Sequence, residues 1–210
     1  PPCATGTFVS LPETIRKSQM KNFLYPVAIA ILLLSFSCKT EEKAEPSQVN
    51  ISSPDPDDDP EARLAELGIE LPVPSSPVAN YVNAVRTGDL LFLAGKGPKK
   101  ADGEYVTGKL GEDLTVEEGY QAARLVGINQ LAVLKAELGN LNKVKRIVKV
   151  LGMVNSVSDF GNQPEVVNGY SDLMVEVFGD AGKHARAAVG MGSLPLNIAV
   201  EIEAIVEIAD

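Results

Sequence analysis

Near the C-terminal end of the chain, an arginine and two glutamates lie on segments with two-residue periodicity. Ala185, Ala187, Val189 and Met191 alternate with Arg186, Ala188, Gly190 and Gly192. After a turn at 193–197, Ile198, Val200, Ile202, Ala204, Val206 and Ile208 alternate with Ala199, Glu201, Glu203, Ile205 and Glu207. Such alternation marks strands with one face against a core. If the two strands pair as a hairpin, Arg186 and Glu201/Glu203 share the face that carries no helices. A guanidinium flanked by Ala188, Gly190 and Gly192 leaves room for a ligand, and its fork suits a carboxylate gripped through two parallel hydrogen bonds. A glutamate across the hairpin could hold or activate a water. The same residues also fit an Arg–Glu pair that neutralises itself on an exposed sheet or at a subunit contact.

The rest of the composition narrows the chemistry. The chain has one histidine, His184, and two cysteines, Cys3 and Cys38, both near its start. A Ser-His-Asp or Cys-His mechanism would have to run through a single imidazole with no thiol in the folded region. Zinc sites built from several His or Cys ligands are excluded by count. Whatever chemistry the chain performs must then be done by arginine, carboxylates, hydroxyls, amides or backbone groups. His184 should share the face of Arg186, as a catalytic group or as a strand-end surface or interface residue. The formal net charge of −9 argues against a nucleic-acid partner, which requires a basic patch.

The elements that must position these groups read as an α+β domain over residues 61–210. A short helix is expected over 61–68, then a Pro-rich connector, LPVPSSP. Strands are predicted over Ala79–Val85 and Leu90–Ala94 around the turn 86–89, with a short strand near Tyr105. Thr115 and Glu118 form a capping box that opens a helix striped by Tyr120, Ala123, Gly127, Leu131, Leu134 and Leu138, with Gly139 as its stop. Val144–Val154 is a strand. A second helix begins at Pro164, carries Val167, Tyr170, Met174 and Val177 on one side, and ends at Gly179. The order predicts a sheet with both helices on one face.

Residues upstream read as delivery. Residues 1–19 precede the first methionine and are expected to be an over-extended start. From Met20 to Cys38, a basic residue, an apolar run from Phe23 to Leu34 and small residues before a cysteine follow the order of a secretory signal. The run is shorter than the roughly 20 residues that span a bilayer. Ser35-Phe36-Ser37-Cys38 resembles a loose bacterial lipobox, which implies acylation at Cys38 and a lipid-anchored protein of the periplasm or outer membrane. Residues 39–60, rich in Glu, Asp, Ser and Pro, read as a flexible acidic tether.

The stretch HARAAVGMGSLPLNIAVEIEAIVEIA resembles the C-terminal signature of the RidA (YjgF-type) family: an arginine strand, then Leu194-Pro195, then Glu201-Ile202-Glu203-Ala204. VANYVNAVRTGDLLFLAGKGP resembles the family's opening hairpin, and the likeness runs from about Pro77 to Ala209. The resemblance implies a chorismate-mutase-like fold and a homotrimer with clefts between subunits. It also implies hydrolysis of 2-imino or enamine acids to 2-keto acids and ammonia, as in 2-iminobutanoate/2-iminopropanoate deaminases, without a cofactor. Carried over by position, Arg186 would bind the substrate carboxylate and Glu201 would position the attacking water. Tyr81, Asn168 and Gly95 would line the cleft, Tyr81 and Asn168 coming from the neighbouring subunit or the second helix. Tyr81 as a plain strand aromatic and Asn168 as a helix-surface amide are the alternatives.

The sequence departs from that pattern in two places. A Ser-Gly-Gln common in active members is Ala94-Gly95-Lys96 here, and the cysteine often two residues after the arginine is Ala188. Lys96 would place a second positive charge near the mouth. The LAELGIELPVP lead-in resembles a longer branch of the family. A non-catalytic trimer that binds a small carboxylate at the cell envelope is therefore the competing expectation, with a hydrolase of another C–N bond as a third.

Overall fold

The computed structural model describes residues 59–77 and 79–209. The segment before the first methionine, the signal-like segment with Cys38 and the tether up to residue 58 lie outside them. Asp59 already belongs to the fold. Its carboxylate accepts the Glu61 amide at 2.9 Å and caps α1 (Pro60–Glu66), so the domain begins just before the expected boundary at 61.

Five strands follow: β1 (Ala84–Thr87), β2 (Leu90–Lys96), β3 (Val144–Asn155), β4 (Ala185–Met191) and β5 (Val200–Ile208). Two long helices, α2 (Val116–Leu138) and α3 (Gln163–Phe178), join β2 to β3 and β3 to β4. The sheet order is β1-β2-β5-β3-β4. β5 is antiparallel to both β2 and β3, while β3 and β4 are parallel. Parallel neighbours need a crossover, and α3 supplies it. The predicted α+β architecture, with helices on one face, is what the chain adopts.

The expected pairing of the last two strands is not. β4 and β5 do not form a hairpin, because β3 lies between them. Two-residue periodicity fixes which face a side chain takes, but not which strand is its neighbour. β5 buries Val200, Ile202, Ala204, Val206 and Ile208 on one face along its whole length, which suits it to a central position. The connection from β4 to β5 therefore passes over the end of β3. Leu196 and Asn197 adopt left-handed backbone there, with φ of 55° and 56°, costly for leucine in particular. Asn155 at the end of β3 secures the connection, its amide donating to Asn197 Oδ1 at 3.0 Å and its backbone N–H to Ala199 O at 2.9 Å.

Two smaller expectations also change. β1 starts at Ala84, and residues 79–83 are irregular; Asn83 instead uses its side-chain amide to hold the Ser75 carbonyl at 3.1 Å. The strand expected near Tyr105 is a single bridge to Lys99. The helices match the sequence reading closely. Thr115 and Glu118 form the capping box, and Gly139 closes α2 in the left-handed conformation.

The two long helices pack through a glycine. A Cβ on Gly169 would stand 2.0 Å from the Tyr120 carbonyl oxygen, a backbone atom that cannot turn aside. Beneath them a buried polar chain runs from the Tyr170 hydroxyl to Gln130 Oε1 at 2.7 Å and from Gln130 Nε2 to the Ile202 carbonyl at 2.6 Å. Gly169→Ala should gain helix propensity yet cost about 2–3 kcal/mol or more by forcing α2 and α3 apart. Gly161→Ala, with open space around it, should stay within about 0.5 kcal/mol of the parent. Urea midpoints of the two variants check this, and equal stabilities would show that the helices are not in backbone contact.

Candidate active site

Strand register decides where the two candidate catalytic groups point. Arg186 is opposite Val150, which is opposite Ala204; Glu201 is opposite Met153, which is opposite Val189. Residues directly opposite one another share a face, and Ala204 and Glu201 are an odd number apart on β5. Val150 and Ala204 are buried beneath the helices, so Arg186 projects to the helix side and Glu201 to the helix-free side. The expectation of a shared face is corrected: it rested on the β4–β5 hairpin, and inserting β3 with its own register separates the pair.

Arg186 lies on the edge strand and reaches up to α3. Its NH1 donates to Asn168 Oδ1 and Ser171 Oγ, each at 2.9 Å, and its NH2 donates to the Pro164 carbonyl at 3.4 Å. No carboxylate among the described residues pairs with it, so no Arg–Glu pair forms at this position within one protomer. Asn168 is thereby a neighbour of Arg186 within one protomer. His184 is close too, as expected. Its Nδ1 lies 2.7 Å from the Gly182 carbonyl and its Nε2 3.0 Å from Ser171 Oγ. The carbonyl can only accept, so Nδ1 carries the proton and Nε2 accepts from the Ser171 hydroxyl. Ser171 is a hydroxyl that sequence reasoning missed. Its place at i+3 from Asn168 on one helix face was the available signal.

Further along β4, the same helix side opens into a cleft of about 680 Å³ between the strand's end and the start of α3, lined among others by Gln163, Ser156, Gly190 and Gly192. A Cβ on Gly190 would come within 2.8 Å of Gln163 Nε2, so glycine keeps that wall open.

Glu201 sits across the sheet beside Gly95. A Cβ on Gly95 would be 2.3 Å from Glu201 Oε1, so the carboxylate occupies the volume a side chain there would fill. Burial, and secondarily the Glu203 carboxylate, pushes the Glu201 carboxyl above its ordinary range. Tyr81 lies in the irregular segment before β1 and is 48% exposed. Lys96 does not stand at the mouth of either group. A register shift between Leu93 and Lys96 puts it opposite Ile202, a core-facing residue, and its amine turns to Asn83 Oδ1 at 2.5 Å. The protomer thus carries two half-sites, Arg186 with Asn168 on one face and Glu201 with Gly95 on the other. Along the helix-free face a row of Val85, Phe92 and Ile205 leaves Val85 55% and Phe92 40% exposed.

The family profile described as "YjgF/chorismate_mutase-like, putative endoribonuclease" matches residues 61–208, the whole of this fold. The chain belongs to the YjgF family. Its relatives include protein TCP17 of Trypanosoma cruzi, 46% identical over 70% of this chain and 92% of that protein. The 2-iminobutanoate/2-iminopropanoate deaminase of Dermatophagoides farinae is 31% identical over 67% of this chain and 94% of its own length. Among solved structures, Atu1372 of Agrobacterium tumefaciens, a protein of unknown function, is 48% identical with a TM-score of 0.67, over 71% of this chain and 92% of that one. A Shewanella oneidensis structure carrying the same endoribonuclease description is 35% identical with a TM-score of 0.69, over 71% and 99%.

In this YjgF-family chain the histidine is held neutral. Burial lowers the His184 pKa first, and the nearby Arg186 cation adds to it, against the opposing pull of the Gly182 carbonyl. A base whose folded pKa is depressed binds its proton more readily when unfolded. Its stability contribution is therefore present above about 6.5 and is lost as pH falls through that value toward the lower folded pKa. His184→Gln should reduce the loss of stability between pH 7 and pH 5 relative to the parent, as read from urea midpoints at the two pH values. An imidazole that titrates at or above 6.5 by NMR would contradict the buried, neutral assignment.

Proposed function

We propose that the protein is a cofactor-free hydrolase of small 2-imino or enamine acids, with its active sites built between protomers of a homotrimer. The observation that carries this reading is the guanidinium of Arg186, fixed by three neutral acceptors and left without a carboxylate. An oriented, uncompensated fork at the open edge of a sheet is suited to an external carboxylate. The mite deaminase supports the choice of substrate class at the level of a relative.

In the proposed reaction Arg186 grips the substrate carboxylate and Asn168 keeps the guanidinium planar to it. Glu201 of an adjacent protomer takes a proton from water as the oxygen attacks the imine carbon. The carboxyl returns that proton to the imine nitrogen to give the carbinolamine, then relays the carbinolamine's hydroxyl proton to the same nitrogen as the C–N bond breaks, so one imine and one water give one keto acid and one ammonia. A raised carboxyl pKa suits a group that must both accept and donate near neutrality. Gly95 leaves the room that the carboxylate itself occupies, and Tyr81 is assigned to the rim of the cleft. The half-exposed row of Val85 and Phe92 is the surface a neighbouring protomer would cover. Attachment to the cell envelope through an acylated Cys38 is part of the same proposal, and the intact mass of the mature N-terminus tests it.

A net charge of −9 speaks against a phosphate-backbone substrate. A trimer that binds small carboxylates without turning them over is the second reading, favoured by Ala94 and Ala188 where many active relatives carry hydroxyl and thiol groups.

Arg186→Ala should lower kcat/KM for freshly generated imino acids about 100-fold, and Glu201→Gln should act mainly on kcat. Each variant alone should retain only a small residual rate, but mixed trimers formed from both should recover about a quarter of parental activity, since one cleft in four receives an intact Arg186 and an intact Glu201. No recovery on mixing would place both groups in one cleft of one chain and defeat the shared site. Ligand-induced thermal stabilisation that depends on Arg186, with no ammonia released, would select the binding reading.

A further inference from the structure

A pocket of about 300 Å³ lies on the helix side of the domain, between the Pro-rich lead-in, the 96–105 loop and α2. It shares no lining residue with the cleft at the end of β4 or with the pocket that Arg186 borders, and it lies away from the face of Glu201. Its polar lining is cationic: Lys96, Lys99 and Lys100 all border it, in a chain that carries nine net negative charges. Lys100 lies 3.8 Å from Asp102, while Lys96 and Lys99 make no ion pair with any described residue.

Lys96 is the informative member. It is partly buried, and its one hydrogen-bond acceptor is the neutral Asn83 Oδ1, which leaves ammonium N–H groups unused. A half-desolvated ammonium without an anion is unfavourable unless something else compensates it. Burial, followed by the charge of Lys99, holds its pKa below the ordinary lysine range, the response expected of a cation that lacks its counter-charge.

The pocket is also held in shape. Asn83 donates its side-chain amide to the Ser75 carbonyl at 3.1 Å and pins the lead-in. Asn129 of α2 donates to the Lys99 carbonyl at 3.0 Å and fixes the loop. Val73, Val133 and Tyr105 supply apolar walls, and the Lys99 ammonium lies 6.0 Å from the Tyr105 ring centre. Two unpaired ammonium groups above a small apolar floor match a ligand with two negative charges on a short hydrocarbon body. The volume is at the lower end of small-molecule pockets, about 300–1,000 Å³.

We propose that this pocket is a binding site for a small organic dianion, held by Lys96 and Lys99 and separate from the imino-acid cleft. The proposal does not rest on the deaminase reading, because none of its residues belongs to either half-site.

Calorimetric titration of the full chain with succinate, inorganic phosphate and acetate tests it. Succinate is expected to bind with a stoichiometry of one per chain, and acetate about tenfold more weakly for lack of the second charge. Lys96→Gln and Lys99→Gln should each weaken succinate about tenfold or more, while Arg186→Ala leaves it unchanged. Phosphate bound as tightly as succinate, with the same dependence on Lys96, would keep the dianion site and assign it to phosphorylated compounds. The proposal is overturned if neither dianion binds at millimolar concentration, if acetate matches succinate, or if binding survives both lysine substitutions. It is equally overturned if binding disappears with Arg186→Ala, since the anion would then be in the other cleft. The two lysines are replaced separately, so Lys99→Gln keeps the test decisive even if Lys96→Gln is poorly folded.

Discussion

The alternation along β5 is the constraint from which the rest of the architecture follows. Val200, Ile202, Ala204, Val206 and Ile208 are all buried against the helices, and their neighbours Glu201, Glu203 and Glu207 are thereby sent to the opposite face. Burying five aliphatic side chains in one strand contributes several kcal/mol, at about 25 cal/mol per Å² of apolar surface. Shifting the strand by one residue would reverse every one of them and put three carboxylates into the core. No adjustment of the site can compete with that penalty. Because β5 is hydrogen-bonded on both sides, its parity is imposed on β2 and β3, and through β3 on β4. The placement of Arg186 on the helix side and Glu201 on the other is thus a consequence of core packing.

That hierarchy explains which parts of the protein were legible in its sequence. Patterns whose cause is local were read correctly: the Thr115–Glu118 capping box, the left-handed Gly139, the stripe of Val167, Tyr170, Met174 and Val177 on α3. Each depends only on residues within a turn or two of one another. The strand neighbours of β4 were not legible, because edge and centre are settled by contacts far apart in the chain, and two-residue alternation looks the same in either position. The five-residue connection 193–197 invited a hairpin. Its real geometry, with Leu196 and Asn197 in left-handed backbone, depends on Asn155, some forty residues upstream. Lys96 was misplaced for a related reason. A register shift late in β2 moves it from the face that simple alternation would assign.

The site residues divide along the same line. That Arg186 has open room around it could be read from its small neighbours, Ala188 and Gly190. What holds the guanidinium could not. Asn168 and Ser171 come from α3, and only the βαβ crossover of β3, α3 and β4 lays that helix over the edge strand. The same crossover carries the His184 ring to Ser171, so an isolated histidine in the sequence becomes the end of a hydrogen-bonded chain running Gly182, His184, Ser171, Arg186, Asn168. Its polarity is fixed at one end by a carbonyl that can only accept. A neutral His184 therefore leaves the Ser171 lone pairs turned to Arg186, and the positive charge of the guanidinium is oriented without being cancelled.

Arg186 and Lys96 share that property, and comparison with paired cations separates support from recognition. Arg124 meets Glu176 at 2.6 Å and Arg146 meets Glu207 at 3.6 Å; both are surface pairs that need no ligand, each worth at most about 1 kcal/mol. Arg186 and Lys96 are held by neutral oxygens only. A neutral acceptor orients a cation while leaving most of its field intact, whereas a carboxylate would satisfy it and close the position to any other anion. With many acidic side chains available, pairing each cation would have been the simpler arrangement for stability. Arg186 and Lys96 are both partly buried and both border open space, which is where an anion from outside the chain can complete them.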